Sequence, residues 1–306
     1  MVNLLKNKTA YKITCIAVLF FIFLRPVIIL FSHTDSYFAR NYSTRYENFR
    51  KEYYSSQYVT KNNPGFIPDQ ALENFAAGAF LQGVNPIMII HDQPPLGRYI
   101  GALSILIFDN AETINVFLIA LSGLVIFLIA KLILKNTLLS LLCSAIFVNE
   151  PLFMGQFSYL PLLESTQLPF IFLTIYFFLK ALGTKKPFKL FITVSVILGF
   201  VISIRFFALG VSLLAAFVVC LFLYKEQRKK ILQFLVTLPL TVLVLFLSYT
   251  KTILDGTPIW HIFGIQKYIF IYHKDQISSP FSFWDLLLFN RWHTWWANRA
   301  IAHDEQ

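Results

Sequence analysis

Long apolar runs separated by short polar connectors dominate the chain. Because roughly 20 apolar residues cross a bilayer as a helix, the pattern predicts seven membrane helices. They are expected at residues 11–32, 113–133, 136–150, 162–182, 188–204, 206–224 and 231–253. The first run is too long for the apolar region of a signal peptide and lacks a small-residue cleavage site, so it predicts a retained helix. The predicted fold class is an all-α polytopic membrane protein.

The charged residues orient these helices. Basic clusters precede the first helix and lie in alternate connectors, at Lys6, Lys8, Lys12, Lys131, Lys135, Lys185, Lys186, Lys189, Lys225, Arg228, Lys229 and Lys230. Short loops rich in Lys and Arg remain in the cytoplasm, which places the N-terminus there. All of the 16 carboxylates except Glu226 then fall on the outer side. This asymmetry predicts that the chemistry takes place on the external face.

Composition supports this class and argues against others. The chain is 57% hydrophobic, whereas soluble domains are about 45–50% apolar. The formal net charge of +10 does not indicate nucleic-acid binding, because the basic residues flank apolar runs and form no stripe of their own. The cysteines, Cys15, Cys143 and Cys220, lie within apolar runs and have neither metal-ligand spacing nor a disulfide framework.

The outer regions are a long first loop, 33–112, and a C-terminal tail, 254–306. Residues 1–253 are predicted to form the membrane core together with that loop, in which the apolar stretch 98–110 is expected to lie as an interfacial helix. The tyrosines of residues 37–58 and the tryptophans of the tail are expected to anchor at the membrane interface. A stacking surface for sugar is the alternative for both. Arg25 is expected to snorkel to the interface or to pair with a loop acid.

Polar motifs at the predicted outer helix ends are candidates for chemistry. The loop holds Asp69 and then the run His91-Asp92-Gln93-Pro94-Pro95-Leu96-Gly97-Arg98, whose prolines hold Asp92 in an extended conformation. Further along the chain are Gln156-Phe157-Ser158-Tyr159 and Leu162-Leu163-Glu164-Ser165. Glu164 begins an apolar helix, where the helix dipole favours a carboxylate and an ionisable residue is costly. A solvated helix entry and a simple cap are the alternative interpretations.

Arg205 is a third feature, because it stands alone between two apolar runs, after Ser203-Ile204 and before Phe206-Phe207. A guanidinium in that place either snorkels to the interface or binds a phosphate through its planar fork of donors.

The order and spacing of these elements resemble the C superfold of glycosyltransferases, in particular the protein O-mannosyltransferase family and bacterial relatives that use polyprenyl-phosphate sugars. Asp69 matches an acid early in the first external loop, and Pro94-Pro95-Leu96-Gly97 begins 25 positions later. The runs around Gln156 and Glu164 match an aromatic motif and a Leu-Leu-acid-Ser motif. Arg205 matches a basic residue that ends an apolar helix. The resemblance covers roughly residues 65–210.

The chain also departs from that family pattern. Asp69-Gln70 stands where the family has Asp-Glu, Gln93 stands where it has His, with His91 two positions earlier, and Glu164 replaces Asp. Family members continue through several more membrane helices, so the resemblance implies a C-terminal remainder or a partner subunit for this chain.

The resemblance implies a hexosyltransferase that moves a mannose-like sugar, with inversion, from a polyprenyl-phosphate donor to a hydroxyl of a protein or glycan acceptor. It implies Asp69 as general base, supported by Asp92 and Glu164, and Arg205 and Arg98 as ligands of the donor phosphate. The further site candidates are His91, Gln93, Gln156 and Tyr159. It also implies a bacterial or archaeal plasma membrane as the location.

No cofactor is expected, although Asp69, His91 and Asp92 are residue types that a divalent ion accepts. Three other functions stay open. They are transfer to a lipid or envelope glycan by the same superfold, transport of a lipid-linked sugar, and a non-catalytic subunit. Transporters commonly show repeats and polar residues near the bilayer midplane, whereas the acids here gather at one face and no internal repeat is evident.

Overall fold

The computed structural model describes residues 8–60, 65–158 and 160–274, with short pieces at 284, 288–289, 291–293 and 301–303. Within these residues the chain is almost entirely helical, which confirms the predicted fold class. The helices are α1 (Lys8–Ser32), α2 (Thr34–Tyr37), α3 (Tyr42–Ser55), α4 (Asp69–Leu81), α5 (Pro86–Ile89), α6 (Leu96–Phe108), α7 (Thr113–Leu134), α8 (Thr137–Asn149), α9 (Pro151–Ser158), α10 (Leu163–Leu182), α11 (Phe188–Ile204), α12 (Ala208–Leu223), α13 (Ile231–Thr237), α14 (Pro239–Ser248), α15 (Thr250–Leu254) and α16 (His261–Lys274). A 3-10 helix covers Lys225–Lys230, and β1 (Arg291–His293) pairs antiparallel with β2 (Ile301–His303) in the tail.

Among the described residues, four stretches are long and apolar enough to cross a membrane, namely Thr9–Ile29, Thr113–Leu134, Leu163–Leu182 and Lys229–Ser248. Helices α8, α11 and α12 coincide with predicted spans, but with 13, 17 and 16 residues they are shorter than these four stretches. At 1.5 Å per residue, the 13 residues of α8 extend about 20 Å, against a hydrocarbon core of about 30 Å. The last predicted span, 231–253, is divided among α13, α14 and α15. Pro239 begins α14, and its missing N–H explains the break after Thr237.

Helix α10 is the centre of the bundle and packs between α7 and α11, while α11 also packs on α14. Polar side chains join these helices inside the bundle. Thr166 Oγ1 donates to Asn115 Oδ1 at 2.9 Å, and Gln167 Nε2 donates to the carbonyl of Val201 at 2.8 Å. Gly199 lets α11 and α14 approach closely, since a Cβ there would lie 2.6 Å from Val244 Cβ. Small residues and interhelical hydrogen bonds of this kind hold membrane helices together.

The two ends of α10 carry opposite chemistry. At its C-terminal end, Lys230 Nζ of the 3-10 helix donates to the carbonyls of Ala181 at 3.1 Å and Leu182 at 2.7 Å. Two of the basic connectors therefore meet at this end of the bundle. Glu164 lies in the first turn of α10, at the opposite end. These basic connectors and Glu164 therefore lie at opposite ends of α10.

The first long loop, residues 33–112, folds as a compact layer in which α4 packs against α3 and α6. Three of its tyrosines correct an expectation, because Tyr37, Tyr42 and Tyr53 are buried rather than placed at an interface or on a sugar-stacking surface, whereas Tyr54 and Tyr58 are exposed. Tyr53 stacks on Phe75 at 4.4 Å and donates a hydrogen bond to the carbonyl of Ile89 at 2.7 Å. Helix α3 turns Tyr42 and Tyr53 toward α4, where both belong to the core of the loop layer. Tyr37 packs instead with residues of α1, α7 and α8.

Helix α6 lies in the place predicted for an interfacial helix and is amphipathic. Leu103, Leu106 and Ile107 are exposed, whereas Arg98 and Ser104 are buried on the opposite side. Such a division of faces suits a helix that lies along a membrane surface.

Arg25 bonds to the protein backbone, and the anchoring expected of the tail tryptophans stays a prediction. Arg25 Nη1 donates to the carbonyl of Asn149 at 2.9 Å, so its recorded partner is the end of α8 rather than a loop acid. In the tail, Trp260 and Trp284 are exposed, while the side chains of Trp292, Trp295 and Trp296 lie outside the described part of the chain. Helix α16 folds back onto the loop layer, where Tyr268 packs on His91 with ring centroids 4.8 Å apart.

Candidate active site

A small cavity of about 80 Å³ lies where the loop layer meets the start of α10 and the end of α11. It is lined by Tyr58, Asp69, Leu72, Glu73, Asp92, Gln93, Arg98, Leu162, Leu163, Glu164 and Arg205. Four carboxylates and two guanidinium groups among the described residues thus share one cavity. The structure therefore brings together the sequence-predicted residues Asp69, Asp92, Gln93, Arg98, Glu164 and Arg205.

Helix α4 presents two of these acids. Pro68 precedes the helix with φ −69° and ψ 151°, and Asp69 is the first helical residue, where the helix dipole favours a negative charge. Glu73 follows one turn later on the same face. It is 8% exposed, so it needs a partner to remain ionised.

Arg98 is that partner. Its Nε and Nη2 donate to the two carboxylate oxygens of Glu73, each at 2.9 Å, in the bidentate arrangement that gives guanidinium–carboxylate pairs their strength. Arg98 Nη2 also lies 3.7 Å from Asp92 Oδ1, beyond hydrogen-bonding distance. Arg98 is 2% exposed, and the pair joins α4 to the start of α6.

The Pro-Pro-Leu-Gly motif has a clear steric role at this point. A Cβ on Gly97 would lie 2.5 Å from Leu163 Cδ2 and 3.1 Å from Ile204 Cγ2. Glycine therefore allows the first turn of α6 to contact the start of α10 and the end of α11 together. Three motifs that are distant in sequence meet at this glycine.

Arg205 lies in the short connector between α11 and α12 and forms an ion pair with Glu164. Its Nη2 is 2.8 Å from Glu164 Oε1, and each side chain is 41% exposed. Gln93 supports the connector, because its Oε1 accepts the N–H of Phe206 at 2.7 Å. The guanidinium is thus held in place and remains open to solvent on one side.

The electrostatic environment of Asp69 favours the protonated form of its carboxyl group. Burial raises the pKa of the Asp69 carboxyl, and the charges of Glu164 and Asp92 raise this pKa further, while Arg205 and Arg98 oppose the rise. The pKa of Glu73 is likewise raised by burial, and the ion pair with Arg98 opposes that change. Burial and the Asp92 charge also raise the pKa of the Tyr58 phenol. A carboxylate with a raised pKa accepts a proton more readily near neutral pH.

The other predicted candidates lie elsewhere. His91 lines a different, exposed cavity with Trp260, His261 and Tyr268. Gln156 belongs to α9, but its side chain is outside the described part of the chain, as is Tyr159. Within the described residues no group of three or more His, Cys, Asp or Glu side chains is placed to hold a metal ion, and the expectation of no cofactor stays a prediction.

Three neighbours of the site were not predicted from the sequence. Glu73 had a usable signal, since it follows Asp69 by four positions in an apolar helix and so lies on the same face. His273 and Tyr272 arrive from α16, where His273 contacts Gln93 and the pKa of Tyr272 is raised by burial and by the charges of Asp92 and Asp69. Nothing in the tail sequence distinguished these two residues from the other aromatic residues there.

The fold and the site define a class, namely a polytopic helical membrane protein with an acid-lined site at one end of its bundle. The sequence model of the dolichyl-phosphate-mannose-protein mannosyltransferase family matches residues 92–253. Since this match covers more than half of the chain, the protein belongs to that family and is an integral membrane glycosyltransferase. No curated protein and no solved structure matches the chain.

Proposed function

We propose that this protein transfers a mannose-like hexose, with inversion, from a polyprenyl-phosphate donor to a hydroxyl group of a protein Ser or Thr. The observation that carries the proposal is the shared cavity of Asp69, Asp92, Glu164 and Arg205. It combines a carboxylate that attracts protons with a guanidinium that is open to solvent. The region matched by the family model begins at Asp92. Asp69 precedes that region in the sequence but lines the same cavity.

The reaction requires one proton acceptor and one site for negative charge. The acceptor oxygen bonds to the anomeric carbon while the bond from that carbon to the phosphate oxygen breaks. The phosphate leaves with the electron pair, and the hydroxyl proton passes to Asp69. Because a phosphate is a good leaving group, no strong acid is needed. Attack from the face opposite the phosphate inverts the anomeric centre.

Arg205 is the proposed ligand of the leaving phosphate, since its half-exposed guanidinium can add a phosphate oxygen while Glu164 holds it at 2.8 Å. Arg98 is committed to Glu73 through two hydrogen bonds, so we assign it a smaller share of the phosphate charge. Asp92 Oδ1 and Arg98 Nη1 have no hydrogen-bond partner among the described residues, and we assign them to orienting the acceptor.

The amphipathic donor determines where the site must lie. A polyprenyl chain stays in the bilayer while its phosphate and sugar reach the surface. The acid-lined cavity lies at the bundle end opposite the basic connectors. We therefore propose that it faces the outside of a bacterial or archaeal plasma membrane, with a cytoplasmic N-terminus. Residues 1–253 would then form the catalytic core, with the tail outside.

Membranes that contain the protein, supplied with radiolabelled polyprenyl-phosphate mannose, test this proposal. Label is expected in the protein fraction, in a linkage that alkaline β-elimination releases, as for sugars on Ser or Thr. Label in the lipid extract would indicate a lipid acceptor instead. An absence of transfer from polyprenyl-phosphate hexoses to both fractions would contradict the proposed activity.

Replacement of Arg205 by glutamine is expected to lower kcat by about 10²- to 10³-fold, as loss of one charge-stabilising donor does in other active sites. Arg205→Lys should recover part of this loss, since it keeps the charge and loses the planar fork. Arg50→Gln is the matched control, because Arg50 forms an exposed ion pair with Glu47 at 3.1 Å. Equal activity of Arg205→Gln and Arg50→Gln would exclude the assigned role.

The raised pKa of Asp69 predicts the acid limb of the pH–rate profile. The base works as the carboxylate, so activity falls as the pH drops through the pKa of Asp69. Since burial raises that pKa above the ordinary value of 3.8, the fall begins at a higher pH than for a solvated aspartate. Measuring kcat/KM against pH in a mixed buffer checks this, and a profile that stays flat down to pH 4 would contradict it.

A further inference from the structure

Gln93 forms a bridge between two distant parts of the chain. Its Oε1 accepts the N–H of Phe206 at 2.7 Å, and its Nε2 lies 2.9 Å from Nε2 of His273. The Phe206 N–H belongs to the peptide bond that joins Arg205 to Phe206. The bridge therefore fixes the backbone from which the Arg205 side chain extends.

The connector between α11 and α12 needs this support. Arg205 is extended, with φ −142° and ψ 171°, and the next helix begins only at Ala208. The N–H of Phe206 thus requires a partner outside the helices, and Gln93 supplies it. The rings of Phe206 and His273 also pack together, with centroids 4.7 Å apart.

The orientation of the Gln93 amide determines the role of His273. Because the amide oxygen faces the Phe206 N–H, the amide NH₂ group faces the imidazole. In the ring tautomer protonated at Nδ1, Nε2 of His273 accepts this hydrogen bond. The carbonyl of Asp92 lies 3.2 Å from the same nitrogen.

We propose that His273 is a positioning residue for the transfer reaction, acting through Gln93 to hold Arg205 at the leaving phosphate. This inference rests on the proposed function. It assigns α16 of the tail to the site. It also gives Gln93, the residue in front of the Pro-Pro turn, the role of joining His273 to the connector that carries Arg205.

Besides Gln93 and Phe206, His273 lies beside the backbone carbonyl of Asp92, at 3.2 Å, and beside the Tyr272 ring, with ring centroids 5.2 Å apart.

Two substitutions separate the positioning role from simple packing. His273→Phe keeps a ring against Phe206 and loses the acceptor, so kcat/KM for the donor should fall roughly tenfold, the effect of one buried hydrogen bond. His273→Gln keeps a hydrogen-bond acceptor for the Gln93 amide. It should remain within about twofold of the wild type. His261→Phe, at the other end of α16, is the control.

A double-mutant cycle identifies the route through Arg205. In an Arg205→Gln background, His273→Phe should cost less than about twofold, because the group that it positions is absent. The inference would be overturned by wild-type activity in His273→Phe, by an equal loss in His273→Gln, or by a full tenfold loss in the Arg205→Gln background. In each of these cases, transfer by the wild-type protein would still support the proposed enzymatic activity. An absence of transfer by the wild type would overturn the proposed function, and the positioning role with it.

Discussion

Replacement of Asp69 by asparagine is expected to lower transfer by about 10²- to 10⁴-fold, the contribution of a positioned general base. The change keeps the size and shape of the side chain and removes its ability to take the acceptor proton. Burial and the neighbouring acids raise the pKa of the Asp69 carboxyl, which is the environment expected of a base. Initial rates with labelled polyprenyl-phosphate mannose in membranes measure the effect.

The controls for this variant separate chemistry from folding. Asp35→Asn changes an exposed acid of the same loop and should leave the rate unchanged. Asp69→Asn should also unfold at the wild-type temperature, because an amide at the first position of α4 removes charge repulsion from Glu164 and Asp92 and leaves the helix start intact. Near-wild-type transfer by a well-folded Asp69→Asn protein would remove Asp69 from the mechanism.

The positions of the helices were largely predictable from the sequence, because hydropathy reports burial in lipid directly. Helices α7 and α10 begin and end within a residue or two of their predicted bounds. The turn between α7 and α8 also follows from local chemistry, with Lys135 left-handed at φ 54° and Asn136 Oδ1 accepting the N–H of Leu139 at 3.2 Å. The break in the last span before Pro239 was harder to predict, because the effect of one missing N–H had to be weighed against a long apolar run.

Aromatic residues were the least predictable part of the fold. Tyr42 and Tyr53 are buried, whereas the sequence suggested a membrane interface. A tyrosine-rich stretch beside a membrane helix looks the same in the sequence whether its rings lie at the interface or in a protein core. Their location depends on the packing of α3 against α4 across the loop, and no local pattern reports that contact.

The site was predictable to the extent that its motifs are short and local. Asp92 and Arg98 lie in one run of the chain, and Glu164 and Arg205 mark the ends of apolar helices. Which acid pairs with which arginine was not predictable. Arg98 pairs with Glu73 across 25 residues, and His273 reaches Gln93 across 180 residues. Such pairings follow from the tertiary fold.

The buried Glu73–Arg98 pair gives the largest expected effect on stability. Removing one partner of a buried ion pair costs about 3–5 kcal/mol, because the remaining charge is left without compensation. Glu73→Leu leaves Arg98 charged, since a guanidinium does not lose its proton in proteins. We therefore expect the thermal unfolding midpoint in detergent to fall by on the order of 10 °C.

The reverse substitution should be milder, and the difference depends on pH. In Arg98→Leu the buried Glu73 takes up a proton, because burial raises its pKa and the opposing ion pair is gone. A group whose pKa is raised by folding stabilises the folded state at low pH and loses that contribution as pH rises. Arg98→Leu should thus unfold at a higher temperature at pH 5 than at pH 8, measured relative to the wild type at each pH.

The double variant Glu73→Leu/Arg98→Leu separates stability from function at this pair. Replacing both charges by apolar side chains of similar volume is often neutral or stabilising, so its unfolding midpoint should return close to the wild-type value. Its transfer rate should stay low, since Asp92 loses the guanidinium that lies 3.7 Å from its Oδ1. A double variant as unstable as Glu73→Leu would show that the cost lies in packing at α4 and α6 rather than in an uncompensated charge. Full recovery of transfer in the double variant would show that Arg98 does not position Asp92.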